Sequence, residues 1–270
     1  RRKIPGSDET IPIVGLGSSD SFESGPEFDR SALRVVLRLF EELGGSLVDT
    51  SPTYGDAESN IGAMAKELEI RDNLFMATKV HQRGREAGVN EMQRSEALLE
   101  TPLDLMQVHN LIDVKTQLKT LREWKEAGRI RYLGITHYRT DAFDELEELM
   151  QSQSLDFVQF NLSVLSPEAE NRLLPLAADR GIAVIINRAF EDGRLFGLTK
   201  AMQLPAWTAD FDCESWAQFF LKYVLSHPEV TCVIPATSDP HHLVDNMSAG
   251  TGAFPDAKAR KRMREFMGSL

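Results

Sequence analysis

Asp49, Tyr54, Lys79 and His109 are residues whose types and spacing fit one piece of chemistry, handing a proton to an oxygen that is gaining negative charge. A free phenol, with a pKa of about 10, gives up its proton too slowly near neutral pH. An ammonium beside it stabilises the phenolate and lowers that pKa, while a carboxylate keeps the ammonium charged and oriented. An imidazole can donate a hydrogen bond to the same oxygen or share the relay. Tyr54 follows Asp49 by five residues within DTSPTYGDAESNIG, residues 49–62. Taken singly, each has a plainer explanation: Asp49 a loop cap, Tyr54 a turn residue, Lys79 a solvated cation, His109 a hydrogen-bonded core histidine. The weight lies in the four together.

Positioning such groups takes strands that end at them. Short apolar runs lead into Asp49 (SLV), Lys79 (LFMAT) and His109 (LMQV). Strands are predicted at 46–49, 74–79, 103–109, 130–136, 157–161, 182–186 and 230–234, and another near Gly15 makes eight. Helical periodicity fills the intervals, at 31–43, 58–67, 90–100, 115–127, 142–151, 168–180, 214–226 and 241–248. Gly128 and Gly181 stand just past their helices, where a left-handed cap is wanted. Strands alternating with helices imply a parallel sheet covered by helices. Eight such units without a break in composition predict an α/β fold, a (β/α)8 TIM barrel, with residues 1–270 forming a single domain. Residues 3–14 read as a β-hairpin closing the bottom of the barrel. A doubly wound open sheet is the alternative, but no GxGxxG follows the first strand. The basic run Lys258, Arg260, Lys261, Arg262 and Arg264 reads as the solvated face of a terminal helix.

The 270 residues are 42% hydrophobic and 26% charged, as in a water-soluble globular protein. No apolar run approaches the roughly 18–20 residues that cross a bilayer, so no membrane association is expected. A net charge of −11 and a pI near 5.1 repel a phosphate backbone, which argues against nucleic acid as a partner. An anionic cofactor needs only a local cationic or amide-rich pocket. Cys213 and Cys232 make no disulfide framework, and adjacent His241 and His242 on a helix do not both face one ion, so no metal is expected. The cytoplasm is the expected location; the Arg1-Arg2 start also fits an exported form with its signal removed.

Taken together, these residues resemble the aldo-keto reductase family over nearly the whole chain. The resemblance runs through the opening hairpin, DTSPTYGDAESNIG, LFMATKV, LDLMQVHN, GRIRYLGITHY, FVQFNLS and VIPATSDPHHLVDNMSAG. It implies that Tyr54 is the general acid, tuned by Lys79 and Asp49, with His109 orienting the carbonyl. It also implies hydride from a reduced nicotinamide dinucleotide bound in extended form. Gly17, Ser18, Ser19 and Asp49 would touch that cofactor near the first strands. Thr136 and His137 take the place of the usual Ser-Asn pair on the carboxamide, and Gln159 matches the family's amide. Asn187 stands where many members stack a tyrosine on nicotinamide. Arg188, Phe190 and Asp192 would line the pyrophosphate loop. Around the adenosine 2′-phosphate the chain offers Ala236, Thr237, Ser238, His242, Asp245 and Asn246, without the usual Lys and Arg and with an added Asp239. NADP(H) is favoured and NAD(H) is the alternative.

The resemblance implies a small carbonyl substrate, an aldehyde or ketone, in an open site with a short C-terminal tail. Phe22, His81, Trp207 and Phe211 are candidate lining residues, and the expected assembly is a monomer or weak homo-oligomer. Two other classes compete. One is a nicotinamide-binding regulatory subunit with little turnover, which the intact set of Asp49, Tyr54, Lys79 and His109 argues against and the departures at His137, Asn187 and His242 keep open. The other is a lyase or isomerase using a Lys79 Schiff base, which leaves Asp49 and Tyr54 without a task.

Overall fold

Side chains on a strand alternate between its two faces, and here that alternation sorts the core into two clusters. Leu47, Phe75, Leu105, Phe157, Ile185 and Cys232 pack with one another inside the sheet, while Val48, Met76, Met106, Val158, Val184 and Val233 belong to the larger cluster beneath the helices. A sheet apolar on both faces has to be covered on both, which is the condition a barrel meets. A computed structural model describes residues 1–25 and 29–270.

The parallel sheet runs β3 (Leu16–Gly17), β4 (Leu47–Asp49), β5 (Phe75–Val80), β6 (Leu103–His109), β7 (Ile130–Thr136), β8 (Phe157–Asn161), β9 (Ala183–Asn187) and β10 (Val230–Val233), neighbours in chain order. Parallel bridges from Val14 to Val233 and from Gly17 to Ala236 join its first and last members. The Gly15 amide donates to the Val233 carbonyl at 2.8 Å and the Val233 amide to Ile13 at 2.9 Å, so the sheet closes on itself. No edge is left to pair elsewhere. The fold is the (β/α)8 barrel.

Helices α1 (Ser31–Glu42), α2 (Ala57–Glu67), α3 (Arg85–Leu99), α4 (Val114–Glu126), α5 (Phe143–Ser152), α6 (Leu173–Arg180), α7 (Arg194–Thr199), α8 (Trp216–Leu225), α9 (Pro240–Ser248) and α10 (Ala257–Gly268) follow in sequence. Gly62 lets α2 approach the end of α3, since a Cβ there would lie 2.1 Å from the Leu98 carbonyl. That contact seats the start of α2 and the Tyr54 loop before it. Beneath the barrel, β1 (Arg2–Lys3) and β2 (Thr10–Ile11) form the antiparallel hairpin. Its Ile4 and Ile11 join the inner apolar cluster, and Glu9 accepts from the Tyr132 hydroxyl at 2.7 Å.

Three local expectations change. The helix predicted over 168–180 divides into a 3-10 turn (Glu168–Asn171) and α6. Pro175 lacks an amide hydrogen and clashes with a carbonyl four residues back, so it is tolerated only in a first turn. The helix predicted from 90 begins at Arg85, because its polar first turn carries no apolar period. On α10 the basic run is only partly solvated: Arg264 pairs with Glu170 at 2.5 Å and Arg262 lies 4.4 Å over the Trp207 ring. No helix among the described residues is long and apolar enough to cross a membrane.

Candidate active site

Because the strands are parallel, their C-terminal ends share one mouth, and there the inner face turns polar. Register places Gly17 beside Asp49, Lys79 beside Gln107, His109 beside Thr136, and Thr136 beside Gln159. One turn of alternation below them the inner residues are Leu47, Ala77, Leu105 and Phe157. A ring of ionisable and amide groups thus rests on an apolar floor, where each must find a partner or pay its desolvation.

The partners are present. Lys79, fully buried, donates to Asp49 Oδ1 at 2.5 Å and to the Thr50 carbonyl at 2.7 Å. Asp49 Oδ2 accepts from Gln159 Nε2 at 2.9 Å and Gln107 Nε2 at 3.1 Å. Burial disfavours the Lys79 charge, but Asp49 and then Tyr54 outweigh it, and the ammonium pKa is raised. Its Nζ stands 4.9 Å from the centroid of the Tyr54 ring. The Tyr54 ring in turn meets His109 edge-on, 5.9 Å between centroids.

Here an expectation is corrected. The Tyr54 pKa is raised, not lowered: burial raises it most, Lys79 lowers it, and Asp49 raises it again. The ammonium therefore only offsets part of the desolvation, and the phenol keeps its proton through neutral pH. His109 is pushed the other way, to about 2, by burial and by the positive charge of Lys79, so its ring is neutral. Ser51 Oγ lies 3.1 Å from His109 Nδ1, and with Ser51 donating there the ring proton sits on Nε2.

Tyr54 and His109 open on a cleft of about 780 Å³. Asp49, Thr136, Gln159 and Asn187 form its floor, with Gly17, Ser18 and Ser19 on one wall, Arg188, Phe190 and Asp192 on another, and Ala236, Thr237 and Ser238 at the far end. Ser18 Oγ and Asn187 Oδ1 are buried there without a hydrogen-bond partner among the described residues, which suits a ligand rich in amide and hydroxyl groups. A Cβ on Gly17 would come within 2.7 Å of the Ile234 carbonyl, so the wall at that point has to be bare backbone.

Residues 13–262 match the model of the Aldo/keto reductase family. The chain belongs to that family. Among curated relatives, the aldo-keto reductase YhdN of Bacillus subtilis is 28% identical over 178 residues, covering 60% of this chain and 53% of that protein. This chain thus spans about half of that relative's length. An NADH-specific methylglyoxal reductase of Escherichia coli is 27% identical, covering 76% of this chain and 72% of its own. An aldo/keto reductase from Klebsiella pneumoniae, solved with NADP and acetate, superposes with a TM-score of 0.80 at 22% identity, covering 95% of this chain and 92% of that one. A Bacillus halodurans aldo-keto reductase in its holo form gives 0.79 at 22% identity, covering 98% and 95%.

On the cleft wall, Arg188 is tied to Asp192, Nε to Oδ1 at 3.0 Å, and lies 5.2 Å over the Tyr138 ring. Not every residue that the family pattern nominated faces the cleft. His137 is half-buried beside the mouth, where its Nδ1 accepts from the Arg139 amide and its ring stacks on Tyr138. On α9, His242 is exposed, Asn246 is buried, and Asp245 accepts from Ser215 Oγ at 2.6 Å and Gln218 Nε2 at 2.7 Å, facing α8. Phe22 is fully buried, and Trp207 and Phe211 pack on each other, with Trp207 also against Phe266 of α10, away from the cleft. His81 alone of those aromatics comes near, its ring 5.0 Å from His109. Two contributors, Gln107 and Ser51, are not among the residues that the sequence nominates. Alternation carries a signal for the first: if His109 points inward, so does residue 107, and a buried amide two places below a strand-end histidine asks for a partner. Ser51 sits in a loop, where spacing predicts no direction.

Proposed function

We propose that this chain reduces small aldehydes or ketones to alcohols, and runs the reverse, with a nicotinamide dinucleotide in the cleft. What carries the reading is one observation: the Tyr54 phenol, the buried Lys79 amine and the His109 ring converge at the mouth of the barrel. Bound dinucleotide supplies the hydride. Tyr54 Oη–H gives its proton to the carbonyl oxygen as charge develops there, and His109 Nε2–H orients the same oxygen. Lys79, held by Asp49, stabilises the phenolate left behind. A Schiff base at Lys79 fits poorly, since that amine is fully buried and committed to two acceptors. The protein acts in the cytoplasm as a monomer or weak homo-oligomer.

NADP(H) is the favoured dinucleotide, with Thr237 and Ser238 at the 2′-phosphate. One observation favours NAD(H) as a second reading. Asp239 caps α9 with its own carboxylate, accepting from the His241 amide at 2.7 Å, and so adds a negative charge next to Thr237 and Ser238, the residues proposed for that phosphate. Asp239→Asn is expected to lower KM for NADPH about five- to tenfold and leave KM for NADH within twofold. Steady-state assays with both dinucleotides check this; an equal change in the two KM values removes Asp239 from the 2′ position.

The pH dependence has a definite sign. Reduction needs the phenol protonated, and burial has raised its pKa above the ordinary value, so the reduction rate should stay level through neutral pH and fall only in strong alkali. Alcohol oxidation needs the phenolate and should rise with pH. His109, at about 2, contributes no limb between pH 5 and 9. A pH–rate profile of kcat in each direction checks this, and a break near the ordinary histidine value would contradict it.

A further inference from the structure

We infer that Gln107 is a positioning residue for the Tyr54 proton donor, acting by holding the Asp49 carboxylate so that its other oxygen is committed to Lys79. The inference rests on the reading of Tyr54 as general acid. Gln107 is fully buried on the inner face of β6, in register with Lys79 on β5. Its Nε2 donates to Asp49 Oδ2 at 3.1 Å, and its Oε1 lies 3.4 Å from Gln159 Nε2.

A buried amide inside a barrel is costly unless its polar atoms are satisfied, and the position two residues below is Leu105. An apolar side chain would fill the space at 107 equally well. What the amide adds is direction. Gln159 is itself oriented, because its Oε1 accepts from Thr136 Oγ1 at 3.0 Å and Asn187 Nδ2 at 3.3 Å, which turns its Nε2 toward Asp49 and Gln107. Asp49 Oδ2 is thus gripped by two amides while Oδ1 meets the ammonium. Without Gln107 the carboxylate can rotate and bring both oxygens toward Lys79. The ammonium then does less for the phenolate, and the donor becomes weaker.

Two variants of the full chain, assayed with 4-nitrobenzaldehyde and the preferred reduced dinucleotide, test this. Gln107→Leu is expected to lower the plateau kcat for reduction about tenfold and to move the alkaline limb up by roughly one pH unit, with dinucleotide Kd within twofold. Gln107→Glu places a second carboxyl against Asp49; the two cannot both ionise readily, so the introduced group keeps its proton and donates in place of the amide at low pH. Its rate is expected to approach wild type near pH 6 and to fall through a new limb as pH rises toward 9, where wild type is level. A filler role would leave the rate and profile of Gln107→Leu at wild type. Folded Gln107→Leu with the wild-type rate and profile overturns the inference, and so does a level Gln107→Glu profile, which decides the matter if the leucine variant fails to fold. Tyr54→Phe run alongside separates the two levels: activity retained there removes the general-acid reading itself.

Discussion

Replacing Tyr54 by phenylalanine is expected to cut kcat for aldehyde reduction by about 10²–10⁴-fold while the dinucleotide Kd stays within twofold. The ring keeps its packing against Lys79 and His109, at 4.9 and 5.9 Å, so only the hydroxyl is lost. No neighbour can replace it as acid. His109 is neutral far above its pKa of about 2, and Lys79 is buried beneath Asp49 with its pKa raised. Proton delivery would then fall to water entering the cleft. Stopped-flow reduction with dinucleotide fluorescence titration reads both quantities from one preparation. A variant that keeps more than a tenth of the wild-type rate would remove Tyr54 as the proton source. A wild-type chain that binds dinucleotide but turns over no aldehyde, ketone or sugar would move the nicotinamide-binding subunit ahead.

The barrel was legible because its signals are local and repeat. Apolar runs of strand length followed by amphipathic helices recur down the chain, and β4 through β10 lie within a residue or two of their expected places. The grouping of Asp49, Lys79 and His109 was legible for a related reason, since a charged or polar residue closing an apolar strand has to face a cleft, and Tyr54 followed from its spacing after Asp49. Their ionisation was not. The sign of the Tyr54 shift depends on how much water the phenol loses, and burial is a property of the closed barrel rather than of the residue types. The adenosine end was hardest to read. Asp239, Asp245 and His242 lie within seven residues, yet one caps α9, one turns to α8 and one is exposed. Which way a helical side chain points there is decided by the packing of α8 against α9, which no spacing in the sequence encodes. Gln107 belongs with the legible residues in principle, because the two-residue alternation that placed His109 also placed it.

Separating the buried ion pair should cost more on one side than on the other. Asp49→Leu leaves the Lys79 ammonium fully buried with the Thr50 carbonyl at 2.7 Å as its remaining partner, and strips Gln107 and Gln159 of their shared acceptor. Removing one member of a buried pair typically costs about 3–5 kcal/mol, since the surviving charge is uncompensated. With about 2–4 °C per kcal/mol in chains somewhat smaller than this one, Tm should fall by about 10 °C. Lys79→Met leaves a carboxylate that still accepts from two amides, so it should destabilise less, by about half as much. The double variant Asp49→Leu/Lys79→Met removes both charges and should recover part of the lost stability, though not all, because the two amides stay unsatisfied. None of the three should keep wild-type activity: Lys79→Met and the double variant leave the Tyr54 phenolate without its cation, and Asp49→Leu leaves the Lys79 ammonium without the carboxylate that holds it charged. Thermal unfolding of the four proteins checks the order. If Asp49→Leu proves no less stable than Lys79→Met, the two amides do not hold the carboxylate, and Asp49 depends on Lys79 as much as Lys79 depends on Asp49.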